Sequence, residues 1–114
     1  MLKANFKVFG QTWDFILLSK EDFIIKYPDH PQAVTETTEH RVYSTKEDIT
    51  FPIIKHEMVH VYLSVINGIT ESANLNGDQL EEIFADLFEK YSEEMLRKSR
   101  SVTKKLKYLT TVKK

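Results

Sequence analysis

The hydrophobic pattern changes its period near the middle of the chain, and this change constrains the fold more than any other feature. In the first half, aromatic and branched residues form short runs, and the runs 6–9 and 13–17 flank Gly10-Gln11. Two such runs around a turn are typical of a β-hairpin. Residues 33–44 mix Val, Thr and Tyr with polar residues, which predicts one or two more strands. The first half therefore predicts a small antiparallel sheet.

Two helix signals lie in and just beyond this region. Ser19 is followed three residues later by an acid, so it can cap a short helix that ends before Pro28. The segment 53–66 follows a proline suited to a first helical turn, and Asn67-Gly68 would end a helix there. We expect the first long helix over this segment.

A second long helix is predicted from about Asp78 to about Lys98. Apolar residues recur there at three- and four-residue spacing, which is the period of one helix face. Strands followed by helices indicate an α+β fold, with a small N-terminal antiparallel sheet and two long helices packed on it.

Charge is divided unevenly along the 114 residues. From Arg97 onward there are eight of the 16 basic residues, whereas all 17 acidic residues lie before that point. This length suits one core, so we predict a single domain over residues 1–98 and a basic tail over 99–114. The tail is expected to solubilise the chain or to dock an acidic protein. Nucleic-acid contact, with Tyr108 stacking on a base, is the alternative.

Composition narrows the cellular setting and the chemistry. No apolar run approaches the roughly 18 residues of a membrane span, and no secretory signal is recognisable at the start, so we expect a cytoplasmic protein. The chain has no cysteine. Any metal must therefore be held by histidines and carboxylates.

The strongest functional signal is the run His56-Glu57-Met58-Val59-His60, which has the form H-E-x-x-H. Residues four apart share a helix face, so both imidazoles can reach one ion while Glu57 lies beside it. Zinc in hydrolases usually has three protein ligands and a water whose pKa falls toward ~7, and Glu57 would accept that water's proton. The plain alternative is a helix whose histidines pack or face solvent.

The third ligand is expected on the second long helix, where the sequence contains Glu82-Ile83-Phe84-Ala85-Asp86. H-E-x-x-H followed by Glu-x-x-Ala-Asp resembles the gluzincin zinc metallopeptidases, especially the small ImmA/IrrE-like and phage-encoded members. The resemblance implies that Glu82 is the third zinc ligand, with His56 and His60, and that Asp86 orients a zinc-bound histidine.

Other readings of these segments stay open. Glu81 is a second possible ligand, and the acids of the second helix also fit a face exposed to solvent. The group that stabilises the oxyanion cannot be chosen from the sequence, where four aromatic or histidine residues are available: Tyr27, His30, His40 and Tyr43.

The resemblance implies a zinc-dependent peptidase that hydrolyses a peptide bond in a specific protein. By analogy with ImmA, that target would be a regulatory protein. A phage-encoded chain would act in the cytoplasm of a bacterial host. The alternative function is a non-catalytic phage or mobile-element protein that uses a metallopeptidase scaffold to bind or inhibit a host protein. The sequence carries no prediction of the oligomeric state.

Overall fold

A computed structural model describes residues 2–30, 32–73 and 76–112 of the chain. The α+β class is confirmed, with a four-stranded sheet followed by two long helices. Within the described residues, no helix is long and apolar enough to cross a membrane. The elements occur in the order β1 (Leu2–Val8), β2 (Gln11–Leu18), α1 (Lys20–Lys26), β3 (Ala33–Glu36), β4 (Arg41–Thr45), a 3₁₀ turn (Lys46–Asp48), α2 (Phe51–Ala73) and α3 (Gly77–Val112).

The first two strands form the predicted hairpin, with Val8 paired to Gln11. The turn residues are Phe9 and Gly10, at φ values of 50° and 80°. Positive φ at both central residues is the geometry of a type I′ turn, whose twist matches that of the flanking strands. The turn therefore lies one residue earlier than Gly10-Gln11.

The sheet has the strand order β1-β2-β4-β3, so β3 is an edge strand. The β1–β2 and β3–β4 pairs are antiparallel, but β2 and β4 run parallel. The expectation of a purely antiparallel sheet is thus corrected to a mixed sheet. The reason is that β3 starts level with the end of β2 and runs back toward the start of β2, so β4, which returns antiparallel to β3, lies parallel to β2. Ser19 caps α1 as predicted, since its side chain accepts a hydrogen bond from the backbone N–H of Asp22.

The two long helices cover the face of the sheet opposite α1. The main hydrophobic core lies between these helices and that face. Phe51 at the start of α2 contacts Arg100, whereas Tyr62 and Tyr91 both contact Phe9. The helices therefore run antiparallel. Among the largest fully buried side chains of this core are Trp13, Phe15, Leu17, Ile54, Met58 and Leu106.

Both long helices extend beyond their predicted ends. Helix α2 continues past Asn67-Gly68 to Ala73, because one glycine inside a helix costs only about 1 kcal/mol relative to alanine. Helix α3 continues past Lys98 to Val112. The segment predicted as a basic tail is therefore helical through Val112, and residues 113 and 114 lie outside the described residues.

Small polar residues explain why the end of α3 was not foreseen. Ser99 and Thr103 are buried at positions that face the core, and each hydroxyl donates a 2.7 Å hydrogen bond to the carbonyl four residues earlier. These bonds satisfy the hydroxyls without any partner outside the helix. Val102 and Leu106 are buried beside them, so this part of α3 belongs to the core.

Candidate metal site

Helix α2 presents His56 and His60 on one exposed face, as the four-residue spacing predicts. Their Nε2 atoms lie 3.3 Å apart, and the two rings meet nearly edge to face at an interplanar angle of 81°. At this separation, the two nitrogens can share one proton in an N–H···N contact. The same separation allows them to bind one ion.

The nitrogen separation agrees with the demands of zinc. Two nitrogens that bind a tetrahedral zinc ion at about 2.0–2.1 Å lie about 3.3–3.4 Å apart. The observed distance of 3.3 Å between His56 Nε2 and His60 Nε2 therefore matches the spacing of two zinc-bound nitrogens. His56 and His60 would supply two of the three protein ligands that a hydrolytic zinc site usually has.

Glu57 differs from its neighbours in being buried, with only 5% of its surface exposed. Its Oε1 atom accepts a 2.8 Å hydrogen bond from the hydroxyl of Thr35, on the edge strand β3. A buried carboxylate needs such donors, because an unpaired polar group away from water is costly. The bond fixes the carboxylate beside the histidine pair.

These side chains line a cleft of about 500 Å³ between α2 and the β3 region. His56, Glu57 and His60 lie along one wall, and Thr35 and His30 contribute from the other. A second cleft of about 410 Å³ adjoins it and shares the side chains of His56 and Glu57. The motif therefore lies at the centre of a continuous open surface rather than in a closed pocket.

The structure does not bring Glu82 or Asp86 to the histidine pair. Both side chains are exposed on α3, and the described residues contain no group of three His, Asp or Glu side chains placed to hold one ion. Glu81, the second possible ligand, is exposed on the same helix. The assignments of Glu82 and Asp86 to a zinc site thus stay predictions without support from this geometry.

The packing of α3 explains this placement. Leu87, Tyr91 and Met95 line the groove against α2, and Glu82 lies about 140° around the helix from Leu87. Glu82 is also about 7.5 Å further toward the connection between the helices. Because the helices are antiparallel, it falls level with residues of α2 beyond Ile66, away from His60. In the structure, Glu81, Glu82 and Asp86 belong to an acidic face of α3 that is exposed to solvent, as the alternative interpretation predicted.

Of the four residues considered for an oxyanion donor, His30 alone lines the cleft among the described residues. The Tyr27 and Tyr43 hydroxyls donate to Glu36 and Glu39. Burial, together with the bond to Glu36, raises the pKa of Tyr27, which keeps its hydroxyl protonated as a donor. The fourth, His40, stacks on Trp13 with ring centroids 4.6 Å apart.

No sequence pattern pointed to Thr35 as part of the site. It lies between Val34 and Glu36 in a four-residue strand, and its role depends on how α2 packs beside that strand. Thr37 and Ser64 line the cleft as well. No local pattern distinguishes such residues from ordinary surface threonines and serines.

Comparisons with known proteins supply no relative. Neither the models of protein families, nor the curated proteins, nor the solved structures include one that matches this chain.

Proposed function

We propose that the protein is a zinc-dependent metallopeptidase that hydrolyses a peptide bond in a specific protein target. The observation that supports it most directly is the 3.3 Å separation of the His56 and His60 Nε2 atoms beside the buried carboxylate of Glu57. A surface helix can carry an H-E-x-x-H run with its glutamate in solvent, whereas this glutamate is buried in the cleft wall and needs a hydrogen-bond donor there. Thr35 provides one.

In this proposal, His56 and His60 hold the ion and Glu57 is the general base. Zinc bound there would supply Lewis acidity that polarises the scissile carbonyl and makes water easier to deprotonate. Glu57 accepts a proton from the attacking water and passes it to the leaving amine. Thr35 is a positioning residue, because its hydroxyl holds one carboxylate oxygen in place. His30 lines the cleft opposite the motif and is the candidate donor to the oxyanion.

The shape of the cleft favours an extended protein segment as substrate. The clefts flanking the motif are open and run beside β3, which is one of the two edge strands of the sheet. An edge strand has one row of backbone groups outside the sheet's own ladder, and extended peptides commonly pair with such edges. The resemblance to ImmA-type peptidases favours a regulatory protein in the bacterial cytoplasm as the target.

A second candidate function is a non-catalytic binding protein on a metallopeptidase scaffold. The described residues provide two grouped ligands rather than three, and this observation favours it. Such a protein would occlude a host protein and leave it intact. The two functions therefore differ in whether the bound partner is cut.

Cleavage of a proteome-derived peptide library, read by mass spectrometry, distinguishes them. The zinc-loaded wild type should create new peptide termini that share a sequence preference. The variant Glu57→Gln should create none while retaining zinc, because an amide cannot accept the proton. Glu47→Gln, an exposed glutamate outside the two clefts, is the matched control and should cut as the wild type does. An equal set of cuts from Glu57→Gln would refute the proposed base.

A further inference from the structure

A basic groove lies where the C-terminal half of α3 passes the start of α2. It has a volume of about 550 Å³ and is lined by Phe51, Arg100, Ser101, Thr103, Lys104 and Lys107. None of the described residues that line it carries a carboxylate, and the histidine cleft has a different set of lining residues. The groove is therefore a separate surface of positive charge on a chain whose net charge is −1.

Two cations share one aromatic ring at this groove. The guanidinium of Arg100 lies 5.4 Å from the ring centroid of Phe51, and Lys55 Nζ lies 5.7 Å from it. The ion pairs found among the described residues, Arg41 with Glu39 and Lys98 with Glu94, involve neither cation. Their charges are thus not neutralised within the described part of the chain. A bound anion would relieve the repulsion between them.

The groove continues along one face of α3. Arg97, Arg100, Lys104 and Lys107 recur at three- and four-residue spacing, so they form a stripe about 15 Å long. Tyr108 lies on the same face, one helical turn after Lys104, and 67% of its surface is exposed. Exposed aromatic rings between cations can stack on bases while the cations contact phosphates.

We propose that this basic groove binds single-stranded nucleic acid. Arg100, Lys104 and Lys107 contact successive phosphates, and Tyr108 stacks on a base. A peptide of acidic residues alone would pair with the cations but has no aromatic group to stack on the exposed ring. A duplex keeps its bases stacked on one another, so it cannot present one to Tyr108.

Fluorescence anisotropy with a labelled 12-nucleotide oligothymidylate tests the proposal directly. Neutralising three phosphates of a single strand predicts a slope of about −2 for log K against log salt concentration. A duplex of equal length and a decaglutamate peptide serve as competitors. Both should displace the probe at least about tenfold less effectively than unlabelled oligothymidylate.

Variants locate the binding to the groove. The triple exchange Arg100→Ala, Lys104→Ala, Lys107→Ala should weaken binding at least about tenfold and flatten the salt slope. Tyr108→Ala should weaken it by about 5- to 150-fold, whereas Tyr108→Phe should retain most of the affinity. Lys104→Glu changes an exposed residue and checks the same groove if the triple variant does not fold.

Controls separate this site from the metal cleft. The exchange Lys20→Ala, Lys46→Ala, Lys105→Ala removes three exposed charges outside the groove and should leave affinity within about twofold. Glu57→Gln should bind the oligonucleotide as the wild type does, so failure of the peptidase proposal leaves this one standing. No binding at low salt, stronger displacement by the duplex or the acidic peptide, or unchanged affinity in both Lys104→Glu and Tyr108→Ala would overturn it.

Discussion

The hydroxyl of Thr35 donates a 2.8 Å hydrogen bond to Oε1 of Glu57. This bond joins the edge strand β3 to the helix that carries the histidine pair, across 22 positions of sequence. It couples the orientation of the proposed base to the strand beside which an extended substrate would lie. Changes to β3 should therefore affect catalysis without touching the metal ligands.

Replacing Thr35 with Val keeps the shape of the side chain and removes the donor. Glu57 then loses a partner in a buried position, so the free energy of unfolding should fall by about 1–3 kcal/mol. For any peptide that the wild type cuts, we expect kcat to fall by about tenfold or more, with KM and zinc content little changed. Chemical denaturation and steady-state kinetics measure the two effects.

Two further exchanges make this test specific. Thr35→Ser retains the hydroxyl and should restore most of the activity. Thr37→Val alters a threonine that lines the same cleft and is exposed to solvent, so its effect should be small. Equal losses in Thr35→Val and Thr37→Val would show that the hydrogen bond has no special role.

The exchange Glu82→Ala distinguishes the geometry of this structure from the ligand set implied by the family resemblance. Glu82 is exposed and is not grouped with the histidines, so the structure predicts that zinc affinity changes by less than about twofold. Titration with a chromogenic zinc chelator measures this. A loss comparable to that of a histidine variant would instead restore Glu82 as the third ligand and require α3 to shift when metal binds.

The C-terminal half of α3 should contribute strongly to stability although it is rich in lysine. Leu106 is completely buried in the main core, so Leu106→Ala should lower the free energy of unfolding by about 2–5 kcal/mol. Lys105→Ala, at the exposed neighbouring position, should change it by no more than about 0.5 kcal/mol. Urea denaturation of both variants gives the comparison, and similar values for the two would contradict the packing described.

Local signals in the sequence predicted the local parts of the fold. The hairpin, the Ser19 cap and the helix carrying the motif depend on turn chemistry, capping and residue spacing, all of which act over a few residues. The parallel pairing of β2 with β4 arises because the β3–β4 hairpin joins the sheet through β4 and leaves β3 at the edge, and no short pattern encodes that choice. The sheet was therefore predicted correctly except that the β2–β4 pair runs parallel.

In the candidate site, too, the local arrangement was predictable from the sequence and the tertiary contacts were not. The positions of His56, Glu57 and His60 relative to one another follow from helical spacing alone. The neighbours of this triplet depend on tertiary packing. Thr35 was missed because a threonine in a short strand has no distinguishing context, and the placement of Glu82 followed from which face of α3 meets α2.

Zinc titration of the purified protein tests the central claim most directly. By calorimetry the wild type should bind one zinc ion per chain. His56→Ala and His60→Ala should each weaken binding by at least about 100-fold, because either exchange removes half of the observed nitrogen pair. His40→Ala, outside the cleft, should bind zinc as the wild type does. A wild type that binds no zinc, or histidine variants that bind it equally well, would contradict the account.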